Sequence, residues 1–260
     1  MLQLVLQASH SDSTLNTCRA STHAISPSGQ VKVLSDIDDT FYANLKDFDR
    51  YPKGTVYPGV KDFYAELDKG GAARQDAEGD LMFLSARPYD RAGGSEHISR
   101  GTIEKAGVKD PTVLSGDFAH LIGNNLIADK KFENWQQVRQ LHPEYGSVFV
   151  GDSGQGDAIF GAKAAATAGG DMKKVFIHNV SGLDDAARAQ WAAKGVSVFD
   201  TYVGAATEAF KAGLITKDGL QRVGAAAQRD LDAVQFSDPS QKAARQADLD
   251  RDLAAMRALL

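Results

Sequence analysis

The sequence predicts an α/β domain of three layers, a doubly wound parallel sheet between two layers of helices. Two observations predict it. The first is alternation. Short apolar runs at 31–34, 81–84 and 148–150 are separated by longer stretches with helical spacing. Strands that alternate with helices make βαβ units, and a strand covered on both faces reads as one continuous apolar run. The second is how the runs stop. They give way to Asp36-Ile37-Asp38-Asp39-Thr40, Ser85-Ala86-Arg87 and Gly151-Asp152-Ser153. Open α/β sheets bind their ligands beyond such C-terminal strand ends.

Each element can be justified in order. Residues 1–29 predict a poorly ordered leader, because 7–29 are rich in Ser, Thr, Asn and Gly without a helical period. The apolar start, Met1 to Gln7, is too short for a signal peptide or a membrane span. After the strand at 31–34, residues 41–60 carry Pro52, Pro58 and Gly59 and predict an irregular loop. A short helix at 61–69 follows, with Phe63, Tyr64 and Leu67 on one face and Gly70 or Gly71 as its stop. A polar connection at 72–80 leads to the strand at 81–84, a helix at 97–106 and a weaker strand at 112–115. Residues 118–128 carry no decisive pattern. Phe132, Trp135, Val138 and Leu141 recur at helical spacing and predict a helix at 131–141, closed by Pro143 and Gly146.

The strand at 148–150, an Ala-rich helix reaching 167 and a strand at 174–178 complete the alternation. The last third is helical, with one short strand at 196–199 between helices at 184–193 and 202–212. Leu249, Leu253, Met256 and Leu260 form a single apolar stripe. We read it as a helix packed back on the domain in preference to a dimer seam; the oligomeric state is not legible. The domain spans 30–216, and 217–260 is a helical C-terminal extension.

Composition excludes several classes. With 260 residues, 43% of them hydrophobic, the chain can bury a large core. A net charge of −5 and the lack of a long basic run argue against nucleic-acid binding. The single cysteine, Cys18, excludes an internal disulfide and fits a reducing, cytoplasmic compartment. No segment approaches the ~20 apolar residues of a transmembrane span.

The strand ends carry the chemistry. Asp36 and Asp38 are two residues apart, so in an extended chain their side chains point the same way. Acids clustered at a strand end are costly unless a cation sits among them, and a hard divalent ion is the simplest one. Ser85, the pair Lys130 and Lys131, and Asp152 with Asp157 occupy other element ends. Singly, each has a plainer reading: a helix cap, a turn residue or a solvated lysine. The six histidines show no metal-ligand spacing; His178 reads as structural and Trp135 as core.

In this order, the residues resemble the haloacid dehalogenase superfamily of phosphotransferases. Asp36-Ile37-Asp38-Asp39-Thr40 is similar to its D-x-D-x-T motif, Ser85 to its second motif, Lys131 to its third, and Asp152 with Asp157 to its acidic fourth. The chain further resembles the catalytic domain of the actin-patch-protein type of phosphatidate phosphatase, related to the lipins. That likeness rests on Ser35–Thr40, Tyr57-Pro58-Gly59-Val60, Lys131 ahead of Pro143, Val150-Gly151-Asp152-Ser153-Gly154-Gln155 with Asp157, and Ala205-Ala206 ahead of Ala212-Gly213-Leu214-Ile215. Ala86-Arg87-Pro88-Tyr89 departs from the Asn-Ser-Pro-Trp common in that family.

The resemblance implies a Mg²⁺-dependent phosphatase with little or no cap over its site, because the segment between Asp39 and Leu81 is short. A phosphoryl dianion at 4 Å from a carboxylate is repelled by about 4 kcal/mol per charge pair at an effective dielectric of ~20, and Mg²⁺ reverses that. Asp36 is then the nucleophile, and Asp38 protonates the leaving oxygen and activates water. By the same resemblance, the metal is held by Asp36, Asp152, Asp157 and the backbone carbonyl of Asp38, although Asp157 could instead brace Lys131. Thr40 and Ser85 hydrogen-bond the loop and the phosphoryl oxygens, and Lys131 offsets their charge. Arg87 either clamps a second anionic group or forms a surface salt bridge. Asp39 caps the turn in preference to holding the ion. The implied substrate is phosphatidate or a related membrane lipid. A soluble phosphomonoester or a phosphoprotein is the alternative, and a non-catalytic scaffold of the same fold is the alternative of another class.

Overall fold

A computed structural model describes residues 31–70, 81–88, 94–108, 111–116, 123–167, 169 and 171–260. The leader at 1–29 and the connection at 72–80 lie outside them. Among the described residues, six strands form one sheet: β1 (Val31–Ser35), β2 (Leu81–Pro88), β3 (Thr112–Gly116), β4 (Gly146–Asp152), β5 (Met172–His178) and β6 (Val196–Phe199). All pairings are parallel, in the order β3-β2-β1-β4-β5-β6. Among the described residues, eight α-helices accompany them: α1 (Val60–Lys69), α2 (Gly94–Lys105), α3 (Asn124–Leu141), α4 (Asp157–Ala165), α5 (Asp185–Ala192), α6 (Tyr202–Lys211), α7 (Lys217–Ala233) and α8 (Pro239–Leu259).

Successive strand residues face opposite sides, and both sides are buried. Val33, Phe83, Val148, Val150 and Phe176 face one layer, in which α1, α2, α6, α7 and α8 place Phe63, Ile103, Val203, Leu220 and Leu249. Leu34, Leu84, Phe149, Val175 and Ile177 face the other, in which α3 and α4 place Trp135, Val138 and Phe160. The chain changes sides at the crossover from β3 to β4. That crossover leaves a crevice between the C-terminal ends of β1 and β4, where doubly wound sheets bind ligands.

The doubly wound architecture agrees with the sequence expectation, and local differences are instructive. Helix α3 begins at Asn124 rather than 131, so Lys131 lies inside the helix and faces inward. Its start carries no side-chain cap, only Gly123 at φ 102°, so no cap signal marks it in the sequence. Strand β2 runs on to Pro88, irregularly past Leu84. The loop at 41–60 contains a 3-10 turn, Asp47–Asp49, and an antiparallel bridge between Tyr42 and Val56, and it forms no cap domain among the described residues. Leu249, Leu253 and Met256 of α8 are buried in the first layer, as the packed-back helix requires. Helices α7 and α8 share that core without a break, and Arg222 of α7 grips buried Glu66 of α1 through two 2.8 Å bonds. Among the described residues, no helix is long and apolar enough to cross a membrane.

Candidate active site

The site begins where β1 ends. The Asp36 N–H still donates to the Val150 carbonyl at 2.9 Å, which ties β1 to β4 across the crevice. The chain then folds into a tight loop, with Phe41 N–H donating to the Ile37 carbonyl at 2.9 Å. Asp39 sits at φ 57°, a left-handed conformation that Asp tolerates better than most residues. Its buried carboxylate accepts from the backbone N–H groups of Asn44 (2.9 Å), Leu45 (3.1 Å) and Lys46 (2.8 Å). Asp39 therefore serves the loop's own architecture. Asp38, three residues past the end of β1, is buried and accepts from Asn44 Nδ2 at 2.7 Å.

Lys131 enters from α3. Its Nζ donates to Asp36 Oδ1 at 2.6 Å and to Asp157 Oδ1 at 2.5 Å, and all three side chains are buried. Asp157, first residue of α4, also accepts from the Asp152 N–H through Oδ2, at 3.2 Å. Both of its oxygens are thus engaged. Asp152, at the end of β4, accepts from the Gly154 N–H through Oδ1 at 2.5 Å. Glycines permit this closeness: a Cβ on Gly151 would run into the Asp157 carboxylate, and one on Gly156 into the Asn124 carbonyl of α3.

The charges do not balance. Three buried carboxylates surround one ammonium. Burial pushes Asp36 up to about 7; Lys131 opposes the shift, and Asp157 and Asp38 add to it. Burial also holds Asp152 well above the usual carboxylate range, with Asp157 and Asp36 acting in the same direction. Burial alone would lower Lys131, but Asp157 and Asp36 raise it, so it stays charged.

The cluster fits a divalent cation. Ligand oxygens of Asp36, Asp152 and Asp157 lie within 4.8 Å of one another. Asp36 Oδ2 and Asp152 Oδ2 are buried with no hydrogen-bond partner, a costly state that an ion would relieve. An all-oxygen anionic set suits a hard ion such as Mg²⁺.

No family model, curated protein or solved structure matches the chain. What the site is must be read from its own residues.

The fold brings together Asp36, Asp38, Lys131, Asp152 and Asp157 from four separate elements. Thr40 is fully buried on the same loop; its Oγ1 has no partner, and its carbonyl accepts from the Tyr202 hydroxyl. Ser85 and Arg87 lie on the last part of β2, beside β1, and their side chains fall outside the description.

Several residues around the site carried no signal in the sequence. Tyr64 bonds Ser35 Oγ at 2.6 Å, and Ser35 Oγ donates to the Asp36 carbonyl at 2.5 Å. His178 Nδ1–H donates to the Asp39 carbonyl, 3.0 Å away; burial, with help from Arg50, pulls its pKa down to about 3, so the ring is neutral. Lys46 Nζ reaches over the loop after β4 to the Gly154 carbonyl. Tyrosine and asparagine in such positions read from sequence as core and turn, and only their hydroxyl and amide contacts reveal more.

Proposed function

We propose that the chain is a Mg²⁺-dependent phosphatase of the haloacid dehalogenase type, acting on a phosphomonoester through an aspartyl-phosphate at Asp36. One observation carries the proposal. A buried lysine joins two carboxylates at the β1/β4 crevice, beside two carboxylate oxygens that lack any partner. Asp36 and Asp152 would hold the ion through those oxygens, and Asp157 serves mainly to hold Lys131. When bound, Mg²⁺ offsets the repulsion between these carboxylates and the phosphoryl dianion and polarises a phosphoryl oxygen.

The remaining steps belong to the chain's own groups. The Asp36 carboxylate attacks phosphorus while the bond to the leaving oxygen breaks, and Asp38 gives that oxygen its proton. Water then attacks phosphorus and passes a proton back to Asp38. Inorganic phosphate leaves, and the Asp36 carboxylate is regenerated. Lys131 steadies Asp36 and offsets developing charge. Thr40 and Ser85 are assigned the phosphoryl oxygens, and Arg87 a second anionic group.

Within this class we favour a lipid phosphate. Leu45 and Phe48, on the loop after the nucleophile, are 50% and 46% exposed, and Leu126, in the first turn of α3, is 43% exposed. Exposed apolar side chains on the loop after β1 and at the start of α3 suit an amphiphile whose tail lies beside its phosphate. The overall charge of −5 favours the soluble ester instead, because it opposes approach to an anionic membrane. The single cysteine supports a cytoplasmic location. The test is phosphate release from a chromogenic monoester and from phosphatidate vesicles, with Mg²⁺ or EDTA, for the wild type and Asp36→Asn. Mg²⁺-dependent release that vanishes in Asp36→Asn is expected. Absence of turnover on every ester would remove the enzyme assignment, and turnover of the soluble ester alone would remove the lipid one.

A further inference from the structure

We infer that Asn44 is the positioning residue for the proton-transferring Asp38, an inference that rests on the phosphatase proposal. A carboxylate has a soft terminal torsion, so a proton donor needs something to fix which oxygen meets the substrate. Asn44 Nδ2 donates to Asp38 Oδ1 at 2.7 Å. Asn44 is itself held in place: its backbone N–H donates to Asp39 Oδ1 at 2.9 Å. Asp39, buried and in a left-handed turn, also gathers Leu45 and Lys46 N–H through the same carboxylate. Tyr42 adds a second tie, accepting the Asp39 N–H at 2.9 Å and bridging to Val56. The loop thus returns over the nucleophile strand and delivers one amide to one oxygen.

The amide –NH₂ only donates. It therefore reserves Oδ1 as an acceptor and leaves the transferred proton to Oδ2. That proton moves from Oδ2 to the leaving oxygen as the phosphorus–oxygen bond breaks, and it is restored from water in the second half of the reaction. Asn44 touches neither phosphorus nor leaving group, and its effect passes through Asp38. Nothing in the sequence marks it, since an asparagine after an Asp-rich turn reads as a loop residue.

Leaving-group dependence tests this. p-Nitrophenolate departs without a proton, whereas an alkoxide needs one. For Asn44→Ala, we expect kcat/KM to fall about 10- to 100-fold on glycerol phosphate, a part of the ~10²–10⁴-fold that general acid catalysis supplies. The fall on p-nitrophenyl phosphate should be no more than about threefold on the same scale. Asn44→Asp keeps the side chain's size and the backbone tie to Asp39 but removes the donor; it should show the same selective loss if Asn44→Ala folds poorly. Asp38→Asn sets the pattern to be matched. Equal losses on the two esters for Asn44→Ala and Asn44→Asp would overturn the positioning role, while a selective loss in Asp38→Asn left the phosphatase proposal standing. A wild type inactive on both esters would overturn the phosphatase proposal and this inference together.

Discussion

The two helical layers around the sheet do different work at the same site. The α3–α4 layer supplies charge: Lys131 and Asp157 reach the crevice from it and meet Asp36 and Asp152 there. Among the described residues, the α1–α6 side places no ionised group in this cluster. It offers hydroxyls, with Tyr64 on Ser35 and Tyr202 on the Thr40 carbonyl, and on the same side of the sheet β5 adds the neutral imidazole of His178 on the Asp39 carbonyl. Those contacts hold the loop after β1 at the Ser35 hydroxyl and at the Asp39 and Thr40 carbonyls. One layer sets the electrostatics and the other fixes the geometry. The charged layer is also the strained one, since it holds three carboxylates against one ammonium.

This contrast can be broken experimentally, starting with the largest effect. Lys131→Met should lower kcat/KM by more than about a thousandfold. It should also destabilise the Mg²⁺-free protein by about 3 kcal/mol, because buried carboxylates lose the ammonium that pairs with them. A variant with normal stability would show that the cluster is better solvated than its burial implies.

Asp152→Asn should separate stability from function. It should abolish the upward shift in melting temperature caused by Mg²⁺ and abolish activity. The metal-free variant should nevertheless be more stable than the metal-free wild type by about 1 kcal/mol, because one like charge has left the cluster. A fall in metal-free stability would mean that Asp152 contributes favourably without an ion.

Asp36 and His178, on the two sides of this contrast, should respond oppositely to pH. Asp36 is raised to about 7, so its neutral form is the one the metal-free fold favours. That contribution is present below about pH 4 and is lost as pH rises through 7. Mg²⁺ binding, which needs the carboxylate, should therefore weaken as pH falls below 7 and should release a proton, measurable by calorimetry in buffers of different ionisation enthalpy. His178 is lowered to about 3. Its contribution is complete above about pH 6.5 and is lost as pH falls towards 3. The stability advantage of wild type over His178→Gln should shrink on acidification. A constant difference between pH 7 and 4 would contradict the neutral, buried ring.

The smallest effect concerns the hydroxyl grip. Tyr202→Phe removes the bond to the Thr40 carbonyl and should cost about 1 kcal/mol of stability, with KM little changed. A larger change in metal affinity than in stability would assign Tyr202 to the charged layer instead.

Legibility in the sequence followed the same division. The sheet was readable because burial on both faces writes each central strand as an unbroken apolar run. The charged residues were readable because acids closing several strands, with a lysine between them in the chain, have few plain uses in combination; that Lys131 points inward from the middle of α3 was not. The hydroxyl bonds of Tyr64 and Tyr202 were not, since aromatic residues at those spacings fill a core equally well; His178 read as structural, which its burial bears out, but its partner on the Asp39 carbonyl was not legible. The start of α3 was missed because Gly123 opens it without a capping side chain. Asn44 was missed because its partner, Asp38, is close in sequence but meets it only through the turn at Asp39.

The central claim is that Asp36 becomes phosphorylated. Acid-quenched mass spectrometry during Mg²⁺-supported turnover of p-nitrophenyl phosphate tests it most directly. A phosphoryl adduct on the peptide containing Asp36, absent with EDTA and in Asp36→Asn, is the expected result. Turnover that persists in Asp36→Asn, or an adduct on any other residue, would contradict it.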